Sequence, residues 1–227
     1  TNVTINDNAT VAQVGLIDAA NGDGTLSFSL EDSYEHIAAA DSDLLTSANA
    51  ITLSDASYDI GERTVKDIQD LLALVNLKAA NGETAIELSD LTYTLLDSSA
   101  ALSSGGDNTA DILDQATSVT ANDAAYVYEA RTIYERDNGA IYDISDNASA
   151  ILSDATGTSD AVNQAGIITA TGSVSAEQAQ ELYGIRADAT MVYNVSDGFN
   201  DLTNPTYSAG VKHAINLTNT TSYAYGL

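Results

Sequence analysis

The stretch Ile141-Tyr142-Asp143-Ile144-Ser145-Asp146-Asn147-Ala148-Ser149-Ala150-Ile151-Leu152 changes its periodicity halfway. Ile141 to Asp146 (IYDISD) alternates apolar and polar side chains, the period-two pattern of a half-buried strand. From Asp146 to Ala155 (DNASAILSDA) apolar residues stand three and four apart, which is a helix face. The acidic residue between the two patterns stands where a helix begins. There, backbone N–H groups lack partners and the helix dipole favours negative charge, so Asp146 reads as a cap.

The same unit of strand, acidic stop and short helix recurs on both sides. Extended segments closed by Asp read VTIND at Asp7, SFSLED at Asp32, AITLSD at Asp55, AIELSD at Asp90, SVTAND at Asp123 and VYNVSD at Asp197. Degenerate copies, IITATG and INLTN, end at Gly172 and Asn219. Helical periodicity follows over Asp32 to Leu45, Glu62 to Ala80 and Ser175 to Ala187, where Ser175 and Gln178 have capping-box spacing. Most intervals between stops are about 25 residues, and the two longer ones point to insertions at Tyr58 to Glu62 and Ser98 to Asn108. The pattern predicts an α/β fold, a repetitive βα solenoid with a parallel sheet on one side and short helices on the other. Residues 1–227 then form a single repeat domain of about nine strand–helix units. A second reading is two compact α/β lobes divided near residues 103–108 (SSGGDN).

Composition narrows the function. Seven Lys plus Arg stand against 33 Asp plus Glu, a formal net charge of −26. Such a field repels nucleic acid and anionic lipid, whose binding depends on basic residues, and it favours solubility and hard cations such as calcium. Cysteine is absent, which excludes disulfides, thiolate zinc sites and thiol catalysis. With no Trp, two Phe and one Met, the core must come mainly from Ala, Val, Ile and Leu, and the 12 tyrosines dominate the large side chains. The longest apolar stretch, around Leu71 to Leu77, is far short of the roughly 20 residues that span a bilayer, so no membrane insertion is expected. A chain that opens at Thr1 without an initiator Met reads as a processed mature protein or an excised fragment.

Three segments carry a family resemblance: IYDISDNASAIL (Ile141 to Leu152), GIITATGSVSAEQAQEL (Gly166 to Leu182) and VYNVSD (Val192 to Asp197). They resemble the degenerate tandem repeats of large, acidic, Cys-free secreted surface proteins of marine bacteria, including cyanobacterial surface-layer-like proteins and type I secretion substrates. The resemblance implies export, an extracellular or cell-surface location, and structural or adhesive work, often with calcium. The chain departs from the calcium-binding nonapeptide arrays of such exports, because Gly105-Gly106-Asp107 is a lone fragment of that motif.

Asp32, Asp55, Asp90, Asp123, Asp146 and Asp197 would line one edge of a solenoid at the strand spacing of about 4.8 Å. Carboxylates so placed either cap helices, the simpler reading, or share a ladder of calcium ions; calcium is the one cofactor they point to. Asn21-Gly22-Asp23-Gly24 reads as a tight turn rather than a calcium loop, since no bidentate Glu follows at EF-hand spacing. His36 and His213 neighbour no hydrolase or metalloprotease motif, and close acidic pairs such as Glu31-Asp32 and Asp41 with Asp43 lack the aromatic platforms of a sugar cleft. Tyr126, Tyr128 and Tyr134 cluster, as do Tyr223 and Tyr225, at the edge of a core or on a contact surface. Sequons at Asn2, Asn8, Asn147, Asn194, Asn216 and Asn219 are candidate glycosylation sites. VTIND near one end and the uncharged Ile215 to Leu227 at the other predict self-association through terminal segments, by strand addition or stacking. The expected function is a non-catalytic structural subunit of an extracellular filament or surface layer, assembled end to end. The alternative is a stalk or ligand-binding segment of a large secreted adhesin, calcium-stabilised, taking a glycan or surface ligand.

Overall fold

A computed structural model describes residues 2–74, 76–79, 84–106, 108–157, 160–188 and 190–218. The protein is α/β, built of parallel strands and helices. It divides into two compact units, Thr1–Leu96 with Gly106–Ser118, and Asp97–Gly105 with Val119–Leu227.

The first unit runs β1 (Val3–Ala9), α1 (Val11–Asn21), β2 (Leu26–Asp32), α2 (Tyr34–Ala38), α3 (Ser42–Ser47), β3 (Ile51–Leu53), β4 (Asp59–Arg63), α4 (Val65–Leu72), β5 (Leu77–Lys78) and β6 (Thr92–Asp97). Strands lie side by side in the order β1-β2-β3-β5, and β4 pairs with β6. All these pairings are parallel, which requires the chain to cross back between neighbours, as α1 does between β1 and β2. After β6 come α5 (Ser99–Ser103), in the second unit, and α6 (Thr109–Gln115), in the first.

The second unit continues with β7 (Val119–Ala125), α7 (Val127–Arg136), β8 (Ile141–Asn147), α8 (Ala148–Ala155), α9 (Ala161–Gln164), β9 (Ile168–Val174), α10 (Ala176–Ile185), β10 (Met191–Val195), α11 (Phe199–Leu202) and α12 (Ser208–Thr218). Strands β7, β8, β9 and β10 neighbour one another in chain order, all parallel. Small residues let the layers approach: Ala125, Ala130, Ala161, Ala176 and Ala179 are fully buried beside Ile133, Ile151 and Leu182. The closest approach is at Gly210 of α12, where a Cβ would overlap the backbone of Ala179 and Gln180 in α10.

Seven of the strands are of two kinds. β1, β7 and β9 each carry two extra residues against the strand that follows: Thr4 to Asn8 faces Ser27 to Ser29, Thr120 to Ala124 faces Ile141 to Asp143, and Thr169 to Ser173 faces Val192 to Asn194. These bulges expose Asn6-Asp7-Asn8, Asn122-Asp123-Ala124 and Thr171-Gly172-Ser173. Gly172 holds φ 76°, which a side chain would strain. β2, β6, β8 and β10 instead read aromatic-x-aliphatic-x-Asp: Phe28, Leu30, Asp32; Tyr93, Leu95, Asp97; Tyr142, Ile144, Asp146; Tyr193, Val195, Asp197. Their aromatic rings are buried. The hydroxyl of Tyr93 donates to the Ile112 carbonyl at 2.7 Å, that of Tyr142 to the Ala161 carbonyl at 2.9 Å, and that of Tyr193 lies 3.1 Å and 3.0 Å from the Ala179 and Gly210 carbonyls. A bulged strand is paired with the aromatic strand that follows it at β1–β2, β7–β8 and β9–β10, and Tyr93, Tyr142 and Tyr193 follow at intervals of 49 and 51 residues.

Several expected boundaries are corrected. AIELSD is not a strand: Leu88–Asp90 is a 3-10 turn, and the strand is the next segment, Thr92–Asp97. Leu91, Tyr93 and Leu95 take the buried face there. The helix expected to Ala80 ends at Leu72, because Leu77 and Lys78 pair with Ile51 and Thr52. The loop expected at Tyr58 to Glu62 is largely β4, and Ser98 to Asn108 contains α5. INLTN is helical through Thr218, as the last turns of α12, and Asn219 lies outside the described residues.

Candidate functional site at the strand ends

Four helix starts, those of α1, α2, α5 and α10, are capped twice. The residue before six of the helices supplies the usual cap: Thr10, Ser33, Thr64, Ser98, Asn147 and Ser175 accept from the amides of Gln13, His36, Asp67, Ala101, Ala150 and Gln178. The strand-end aspartates were expected to cap the helix that follows them. They cap the preceding one. Val11 N–H donates to Asp32 Oδ2 (3.0 Å), Tyr34 N–H to Asp55 Oδ2 (2.7 Å), Ser99 N–H to Asp123 Oδ1 (2.6 Å), Val127 N–H to Asp146 Oδ2 (3.1 Å) and Ala176 N–H to Asp197 Oδ2 (3.0 Å). Each donor is the first residue of its helix. The parallel register explains this, because a strand's neighbour runs directly alongside the point where the chain turns from the first strand into its helix. Ala9 faces Leu30, for instance, so Val11 faces Asp32.

Three of these carboxylates use the second oxygen on the residue that follows them. Asp32, Asp146 and Asp197 accept from the amides of Ser33, Asn147 and Gly198 through Oδ1 at 2.9, 2.7 and 2.8 Å. Asp97, which sequence reading missed because TYTLLD ends a strand offset from the AIELSD copy, accepts from Ser98 N–H in the same way at 2.8 Å. Asp55 makes no side-chain bond to the 3-10 turn it precedes, and Asp90 serves only its local turn, accepting from Glu87 N–H. The row breaks at α8: Asn147 faces Thr171, so Gly172 stands opposite Ala148, where the other rungs place a carboxylate.

Hydrogen bonding lowers the carboxyl pKa at two members of the row, Asp197 and Asp32. The Ala176 and Gly198 amides hold the Asp197 carboxyl below the usual carboxylate value. For Asp32, burial pushes upward, but the His36 ring, whose Nδ1 lies 2.7 Å from Oδ1, and the Val11 and Ser33 amides outweigh it, and the net shift is down.

Other polar side chains are committed inside the units. Asp154 of α8 is fully buried and receives the Arg131 guanidinium on Oδ1 through both Nε (2.8 Å) and Nη2, while its Oδ2 has no partner. Glu129 is buried and accepts from Ser99 Oγ (3.1 Å), Tyr126 N–H (2.9 Å) and the Tyr128 hydroxyl (3.0 Å). In the first unit a cavity of about 160 Å³ opens between α2, α3 and α4, with Ile37, Leu45 and Leu71 in its wall and Tyr34, Asp67 and Asp70 as polar lining. Arg63 stacks 4.1 Å above the Tyr34 ring. Burial pushes the Tyr34 hydroxyl up to about 12. Tyr126 and Tyr128 stack with centroids 5.9 Å apart and remain more than half exposed. His213 lies 2.9 Å from the Met191 carbonyl through Nε2, against Tyr183 and Tyr193. Tyr223 and Tyr225 lie outside the described residues.

The sequon asparagines are dispersed. Asn2 accepts from the Thr25 hydroxyl, Asn8 donates to Glu31, Asn147 caps α8, Asn194 is exposed on β10, Asn216 is in α12, and Asn219 is outside the described residues. Among the described residues no three His, Cys, Asp or Glu side chains converge on a point suited to a metal, and no helix is long and apolar enough to cross a membrane. No protein-family model, curated protein or solved structure matches the chain.

Proposed function

We propose that the protein is a non-catalytic structural subunit of an extracellular filament or surface layer, a βα solenoid whose rungs are locked to one another by carboxylates. The observation that carries this reading is the repeated bond from an aspartate on one rung to the first amide of the helix on the rung before. A bond that ties neighbours rather than parts of one rung suits a module extended by adding rungs, with each contact local along the stack. The acidic, Cys-free composition and the resemblance to secreted surface repeats favour the same assignment. Electron microscopy of the purified chain, with and without calcium, tests it. Filaments or sheets are expected, and dispersed particles at every concentration would rule the reading out.

The exposed Tyr126–Tyr128 stack favours a second reading, an adhesin stalk that presents an aromatic platform to a glycan. Glycan-array binding lost in Tyr126→Ala, with no assembly by microscopy, would select it.

A further inference from the structure

We infer that β1 of one copy receives β10 of a second copy in parallel, so that α11 meets β1 as α5 meets β7 within the second unit. The inference rests on the structural-subunit reading and fixes the polarity and register of its contact.

β1 and β7 share the sequence V-T-x-N-D-x-A, Val3 to Ala9 and Val119 to Ala125, and they share the two-residue bulge. In the second unit the helix before β7 is present: α5 packs on β7 and α7, and Asp123 takes the Ser99 amide. Asp7 occupies the position of Asp123, yet among the described residues its exposed carboxylate has no partner, and β1 has β2 as its one strand neighbour. The cover is missing from the helix as well. In α7, Val127, Glu129, Ala130 and Ile133 are buried, whereas in α1 only Val14 is, and Leu16 is 75% exposed.

The chain also carries the matching half. The segment that leads into α5 reads Tyr93-x-Leu95-x-Asp97-Ser98-Ser99, and β10 leads into α11 as Tyr193-x-Val195-x-Asp197-Gly198-Phe199. Among the described residues β10 has β9 as its one strand neighbour, and Phe199 is 80% exposed. Setting β10 of one copy before β1 of the next therefore rebuilds the sequence order around Asp123. In that register Phe199 stands opposite Asp7, Ser196 opposite Thr4 and Val195 opposite Val3. A second copy fits better than an unrelated strand because both halves of the junction, the bulged acceptor and the aromatic donor, belong to this chain.

The chain contains no cysteine, so paired substitutions read the register directly. An equimolar mixture of Thr4→Cys and Ser196→Cys chains is expected to give a disulfide-linked dimer under mild oxidation, and the double variant a ladder of oligomers. The out-of-register mixture of Thr4→Cys with Asn194→Cys should give at least several-fold less. Asp7→Ala should weaken self-association measured by sedimentation about tenfold while leaving the melting temperature unchanged, since among the described residues the side chain has no partner. Self-association that persists with equal cross-linking in both registers, or that ignores Asp7→Ala, overturns this junction and leaves the structural-subunit reading standing. Cross-links confined within single chains also overturn it. A chain that stays monomeric at millimolar concentration and high salt overturns both.

Discussion

At the residue scale, the strand-end aspartate is a bridge between neighbours. Asp197 takes Ala176 N–H with one oxygen and Gly198 N–H with the other, so a single side chain fixes the start of α10 and the exit from β10. A charged acceptor suits this better than Asn, because both bonds strengthen with full negative charge on the oxygens. The acidity follows. The carboxyl is held below its ordinary 3.8, so its contribution to stability is complete above that value and declines as pH falls through the lower folded value. Asp197→Asn should therefore lower the melting temperature at neutral pH, and its curve should converge on the wild type as the pH drops below about 4. Calorimetry of both proteins from pH 7 to pH 2 checks this, and a constant gap down to pH 2 would mean that the charge does not matter. Tyr193 behaves oppositely. Burial raises its hydroxyl to about 12, so its contribution persists below the ordinary 10.0 and is lost between those values. In Tyr193→Phe the loss of stability between pH 10 and 12 should shrink, while at neutral pH the missing hydroxyl bonds cost about 1 kcal/mol.

At the element scale, two contacts between helices set how the layers sit. Arg131 of α7 and Asp154 of α8 form the one ion pair with a fully buried carboxylate among the described residues. Removing the arginine leaves that charge in a low-dielectric interior, so Arg131→Ala should cost about 3 kcal/mol, whereas replacing both partners with apolar residues (Arg131→Met with Asp154→Leu) should recover most of the loss. Urea denaturation of the two variants measures it. Gly210 is the second contact. Gly210→Ala puts a methyl group into the Ala179 carbonyl and should cost about 1–3 kcal/mol, whereas the same change at the uncrowded Gly15, inside α1, should stabilise by about 0.5–1 kcal/mol. These elements also show what the sequence disclosed. The strands at Val3, Leu26, Ile141 and Met191 and the Ser175 cap were legible because each depends on residues within one turn or one strand. The direction of the aspartate cap was not, because it depends on which strand lies alongside. β5 was hidden for a related reason: two residues are too few to show alternation, and their pairing with β3 decides their state. The shared aromatic position of Tyr93, Tyr142 and Tyr193 was present in the sequence, but the recurrence of Asp on both kinds of strand masked it.

At the scale of the whole molecule, the net charge of −26 opposes the compact state, and mobile ions relieve it. Any salt screens this repulsion, so a rise in melting temperature on adding calcium is not by itself a sign of binding. The row of aspartates separates the two cases. Where both oxygens already accept backbone N–H bonds, as at Asp32, Asp146 and Asp197, coordination would have to compete with the caps that order the helix starts. At matched ionic strength, sodium chloride and calcium chloride should therefore raise the melting temperature equally, and chelator should do nothing beyond its own ionic strength. A calcium-specific gain of many degrees, reduced in step by Asp32→Asn, Asp146→Asn and Asp197→Asn, would instead assign the row to a shared cation ladder. The same titration followed by sedimentation reaches the assembly. Chains that repel one another at low salt should associate as the Debye length shrinks from roughly 30 Å at 0.01 M to 8 Å at 0.15 M, with either salt. Asp7, alone on its edge, should be the residue whose loss shifts that salt midpoint upward without moving the melting curve.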